Sequence, residues 1–186
     1  MEEIEMFLEE AKELMDKSVT HCHQELTKIR AGKAMPNMLD GLMVDYYGSP
    51  TPINQVASIT TPDARTLSVK PWEKNMIGEI ERAIINSDLG LNPQNDGEQV
   101  RINIPPLTEE RRKDLVKQVK AEGENGKVSI RNVRKDTNDS LKKLLKDGVS
   151  EDAVKDAEAE VQKLTDSHVV KIDQLISDKE EDIMTI

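Results

Sequence analysis

Three stretches of the chain place apolar residues in alternating steps of three and four. In the first, from Glu2 to about Ala31, they fall at Ile4, Leu8, Ala11, Met15, Ser18, Cys22, Leu26 and Ile29, with Ser18 the one weak position. In the second, between Thr108 and Lys146, they fall at Val116, Val119, Ile130, Val133, Thr137 and Leu144. In the third they fall at Val154, Ala157, Val161, Leu164, His168, Ile172 and Leu175. This spacing predicts three long helices, each with one apolar seam. No helix can bury its own seam, so a three-helix bundle is expected. Pro105 and Pro106 exclude helix before Thr108, Gly148 ends the second helix, and Ser150 with Glu151 and Asp152 opens the third. The short Gly148–Ser150 link implies that helices two and three are antiparallel.

Between Gly32 and Pro106 the pattern changes. LMVDYYGSPTP, RTLSVKPW and QVRINIPP read as short strands separated by Gly, Pro, Asn and Asp. One helix, about Glu73 to Ser87, carries Met76, Ile77, Ile80, Ala83 and Ile84 on one face. The expected architecture is α+β: a long three-helix bundle from residues 1–31 and 107–186, with a small β/α domain, 32–106, inserted between its first two helices. Two stretches of chain join the domains, at Ala31, Gly32 and Lys33 and at Pro105 and Pro106. Gly32 supplies torsional freedom at one crossing and the prolines stiffen the other, so rotation of the inserted domain as a body is the expected motion.

Composition narrows the class. Phe7, Trp72, Tyr46 and Tyr47 are the only aromatics, so the core must be aliphatic. A single cysteine excludes an internal disulfide framework. MEEIEMFLEE has acids where a secretory leader has a basic region, and no stretch approaches a membrane span, so a cytoplasmic protein with no membrane partner is expected.

Charge changes the picture more. The formal net charge is -10, yet residues 108–146 carry +5. Lys113, Lys117, Lys120, Lys127, Arg131, Arg134, Lys135 and Lys142 fall within an arc of about 100°, centred about 120° from the seam, at 100° per residue, and Glu124 is the one acid inside it. A solvated helix face usually mixes both signs. A single-sign stripe on a rigid helix fits a phosphate backbone. No aromatic lies on this helix, so contacts to backbone and helical shape are expected, with no stacked bases.

Other patterns carry less. Adjacent residues of a helix point about 100° apart, so His21, Cys22 and His23 cannot converge on a metal, and none is expected. His168 sits on the third seam and reads as a packing residue. No nucleophile–base pairing and no Gly-rich phosphate loop is present, so an enzyme is not expected, nor a cofactor. An RNA-docking factor explains the stripe, whereas a coiled-coil adaptor explains the long helices alone.

LTEERRKDLVKQVK, SIRNVRKD, VQKLTD, DGLMVDYYGSPTP, RTLSVKPW and SDLGLNP stand in the order and spacing of bacterial ribosome recycling factor, which the chain resembles over essentially all 186 residues. The resemblance implies an L-shaped, two-domain monomer about the size of a transfer RNA. It implies that the protein splits post-termination ribosomes with elongation factor G and GTP, the bundle docking on large-subunit ribosomal RNA. The implied contacts are Arg30, before the hinge glycine, Arg112 of EERRKD, and Arg131 and Arg134 of RNVR. Lys127 joins them from the stripe. Lys33 stands where the family commonly has arginine, and Gly123 and Gly126 stand where better helix formers are usual; each glycine is expected to cost about 1 kcal/mol relative to Ala.

Overall fold

The computed structural model describes residues 2–185. In chain order the elements are α1 (Glu2–Lys28), β1 (Met43–Tyr46), β2 (Ser49–Pro52), α2 (Ile53–Val56), β3 (Ala57–Asp63), β4 (Thr66–Pro71), α3 (Ile77–Ile85), β5 (Pro93–Asn95), β6 (Val100–Asn103), α4 (Glu109–Lys143) and α5 (Glu151–Met184). They form two units, Met1–Ala31 with Glu109–Ile186, and Gly32–Thr108. Leu107 and Thr108 thus belong to the insertion, two residues beyond the boundary expected from the prolines. No helix among the described residues is long and apolar enough to cross a membrane.

The first unit packs α1, α4 and α5 on their seams. Met15, Cys22 and Leu26 of α1, Val119 and Ile130 of α4, and Val161 and Ile172 of α5 are all buried, and the interior is largely aliphatic. The second seam starts one residue earlier than its spacing suggests: Leu115 is buried and Val116 half-buried, and Leu141 joins the core. A helix facing two neighbours buries a band wider than one heptad line, which draws in these flanking positions. Leu164 and Leu175 sit at the band's edge, half-buried. Ser150 caps α5, its hydroxyl accepting from the Ala153 N–H at 3.2 Å, and Gly148 turns the chain at φ 90°.

The two seam glycines have a packing reason. A Cβ on Gly123 would lie 2.1 Å from Ile176 Cδ1, and one on Gly126 would lie 2.8 Å from Ile172 Cδ1 and 3.2 Å from the Cys22 Cβ and Sγ. Close approach of the helices therefore offsets the weak helix propensity. Gly123→Ala is expected to lower the melting temperature despite gaining about 1 kcal/mol of propensity, because the methyl meets Ile176. Adding Ile176→Val, which removes Cδ1, should recover part of the loss; calorimetry of the single and double variants checks this.

His168 is buried, and both ring nitrogens face acceptors: Nδ1 lies 2.6 Å from the Leu164 carbonyl and Nε2 lies 2.8 Å from Asp16 Oδ1. The ring thus bridges a carbonyl of its own helix and a carboxylate of α1. The residue is more than packing, because it ties α5 to the middle of α1. The hydrogen bond to His168 holds the Asp16 carboxyl below its usual range, and Lys171 adds to this at 3.5 Å. A depressed carboxylate contributes stability above its unfolded pKa and loses it as pH falls through the folded value. Asp16→Asn should therefore flatten the acid limb of a stability–pH curve below about pH 4. An unchanged limb in denaturant titrations would show that the pair is not linked to folding.

The inserted unit has its own core. β3, β4, β6 and β5 form an antiparallel sheet in that order, and β1 with β2 forms a hairpin. Leu67, Val69, Val100 and Ile102 pack with Ile80 and Ile84 of α3 and with Val44 of β1. The helix begins later than its sequence pattern indicates, after a short 3-10 turn at Lys74–Met76. Tyr47 and Gly48 join β1 to β2, both at positive φ, 49° and 86°. This is the mirror-image turn that matches strand twist, and Asn is its usual first residue. Tyr47 is the only non-glycine at positive φ among the described residues.

Candidate RNA interface

The basic stripe lies along α4, and the structure divides it in two. On the edge facing α5, Lys127 Nζ is 2.6 Å from Asp173 Oδ1, Lys120 is 3.8 Å from Glu180 and Lys142 is 3.9 Å from Glu158. Arg134 donates to Gln162 Oε1 at 3.2 Å. The outer row, Lys113, Lys117, Arg131 and Lys135, is exposed and makes no ion pair or side-chain hydrogen bond with any described residue. The acids of α5 thus clamp one edge of the stripe. They leave the other edge as a line of cations on a rigid helix, broken only by the exposed Glu124 between Lys117 and Arg131.

The five residues expected to touch RNA are not on one surface. Arg131 is exposed and unpartnered in the outer row, and Arg134 is half-buried beside it. Arg30 lies elsewhere, in a cleft between the end of α1 and the start of α4 that also takes in Lys28, Arg111 and Glu122. Arg112 stands seven residues before Val119, on the inward face of α4, half-buried, with Nε enclosed and without a hydrogen-bond partner. Lys127 does not offer a free ammonium: its side chain is 17% exposed, and the hydrogen bond it donates to Asp173 raises its pKa. Spacing on α4 alone missed this, because the partner lies 46 residues on, in α5. Periodicity likewise passed over Arg111, which shares the Arg30 cleft. His21 and His23 are exposed while Cys22 points into the bundle, so the three diverge.

The joining segments are tied to one turn of the insertion. Ala34 N–H donates to the Ala64 carbonyl at 2.8 Å, and Ile104 N–H donates to the Arg65 carbonyl at 2.7 Å. Gly32 is at φ 72°, and a Cβ there would lie 2.5 Å from Leu107 Cγ. Packing as well as torsional freedom therefore requires glycine. Ala31 and Lys33 flank it half-buried, and Pro105 and Pro106 are exposed.

The family described as "Ribosome recycling factor" matches residues 22–184. The chain belongs to the ribosome recycling factor family. The ribosome-recycling factors of Amoebophilus asiaticus and Cytophaga hutchinsonii are 60% and 59% identical over 186 residues, covering all of each chain. A solution structure of a ribosome recycling factor aligns at TM-score 0.77, with 35% identity and full coverage of both chains. The Thermus thermophilus ribosome recycling factor, placed with Escherichia coli elongation factor G on the post-termination complex, aligns at TM-score 0.62. It is 49% identical, covering 98% of this chain and 99% of that one. Family membership makes the protein a non-enzymatic translation factor of ribosome recycling. The coiled-coil adaptor reading falls with it.

Proposed function

We propose that this chain, in the cytoplasm and as a monomer, splits post-termination ribosomes together with elongation factor G and GTP, with no cofactor of its own. The bundle docks on large-subunit ribosomal RNA through the outer row of α4, with Arg131 central, Arg134 at its margin and Arg30 making a separate contact from its cleft. Lys127 and Arg112 act by holding the helix surface rather than by touching phosphate. The observation that carries this reading is the outer row itself, a set of exposed, unpaired cations of one sign on a chain of net charge -10. The relative placed with elongation factor G on a post-termination complex supplies the partner. The inserted unit rotates about Ala31–Lys33 and Pro105–Pro106 while the bundle stays bound. Purified post-termination ribosomes mixed with this protein, elongation factor G and GTP should separate into subunits, followed by light scattering. Intact ribosomes under those conditions would refute the reading.

A further inference from the structure

We propose that Tyr46, Tyr47 and Glu73 on the inserted unit form the docking site for an arginine presented by elongation factor G. The inference rests on the function proposed above and names a surface for it. Both phenols donate to one carboxylate: Tyr46 to Glu73 Oε1 at 2.9 Å and Tyr47 to Oε2 at 2.8 Å. Asn75 Nδ2 donates to the Tyr47 hydroxyl at 2.9 Å, and the two rings meet edge to face at 4.7 Å. The cluster is thus rigid, yet Tyr47 is 69% exposed, and neighbouring Trp72 is 68% exposed. These three are all but one of the chain's aromatics.

The backbone supplies an independent reason. Tyr47 occupies a left-handed turn position that Asn would fill with less strain, so the ring is kept there against local preference. A strained, locked and exposed aromatic is poorly explained by folding, because it buries little. The chemistry then selects the occupant. Glu73 accepts two neutral hydroxyls and forms no ion pair, even with adjacent Lys74, so its charge is not neutralised. A planar guanidinium can stack on the Tyr47 ring and pair with that carboxylate at once. A nucleic acid would bring phosphates toward the same negative charge. The acceptor role of Glu73 also raises the Tyr46 phenol pKa, so the donor arrangement persists at neutral pH.

The test is the dependence of subunit splitting on elongation factor G concentration, with purified post-termination ribosomes and GTP. Tyr47→Asn relieves the turn, so its melting temperature should equal or exceed that of the parent. It should nevertheless need about tenfold more elongation factor G for half-maximal rate. Glu73→Gln should also raise that concentration about tenfold, while ribosome binding without the factor is unchanged for both. An unmoved half-maximal concentration in Tyr47→Asn would overturn the proposal. So would a lower one in Glu73→Gln, the sign expected if the surface met phosphates. If the unmodified protein fails to split ribosomes, the functional reading falls and takes this site with it. If it splits them and the variants match it, only the site falls.

Discussion

Arg131→Glu combined with Lys135→Glu is expected to lower ribosome affinity roughly 100-fold at physiological salt, with the bundle still folded. Both side chains are exposed and make no ion pair or side-chain hydrogen bond with a described residue, so reversing them breaks no such bond. Surface substitutions of that kind stay within about 0.5 kcal/mol. Their cost falls on the complex, where two phosphate contacts are lost and replaced by repulsion. The slope of log affinity against log salt should shrink by about 1.4 to 1.8, at 0.7 to 0.9 per contact. Lys127→Ala is the opposite case. It breaks the 2.6 Å pair with Asp173 that joins α4 to α5, so melting should fall by roughly 2 °C for a pair contributing under 1 kcal/mol. Its salt slope should match the parent. A slope that changes with Lys127 and not with Arg131 and Lys135 would place the RNA on the other edge of the stripe.

That division of the stripe was within reach of the sequence. Lys142 and Glu158, Lys127 and Asp173, and Lys120 and Glu180 each add to the same residue total, as facing positions on two antiparallel helices of equal rise must. Once Gly148–Ser150 sets the link, the register follows and the acids of α5 fall opposite the inner lysines. The helices themselves were legible for a related reason, since their pattern repeats over many turns and one atypical residue such as Ser18 cannot erase it. The insertion was less legible. β3 contains Thr60-Thr61-Pro62-Asp63, which reads as a turn, and β5 is Pro93-Gln94-Asn95, without an apolar residue. Both pair at the edges of the sheet, where Pro is tolerated and one partner strand supplies the hydrogen bonds. Arg112 and the seam glycines depend on what the neighbouring helices place against them, which local spacing does not encode.

Val161→Asp and Val170→Asp put the same substitution on the same helix and are expected to have opposite outcomes. Val161 is fully buried and packs with Leu141, Leu144, Val154 and Ala157, with no polar group among them to pair a carboxylate. Burying an unpaired charge there, with loss of the valine contacts, should cost about 5 kcal/mol or more, comparable to the whole stability of a unit at the low end of the usual range of roughly 5–15 kcal/mol. Val170, nine residues along α5, is 65% exposed, so aspartate there meets water, and the two residues differ little in helix propensity. Circular dichroism should show loss of most helical signal in Val161→Asp and an unchanged spectrum in Val170→Asp. Leu164→Asp, on a half-buried position at the edge of the band, should fall between them. The inserted unit keeps its own core around Leu67, Val69, Ile80 and Ile102, so amide resonances from its sheet should stay dispersed when the bundle melts. Ribosome binding should disappear with helicity in Val161→Asp, unlike the glutamate variants of α4, which lose binding while folded. A full helical signal in Val161→Asp would mean that the three seams do not form one core.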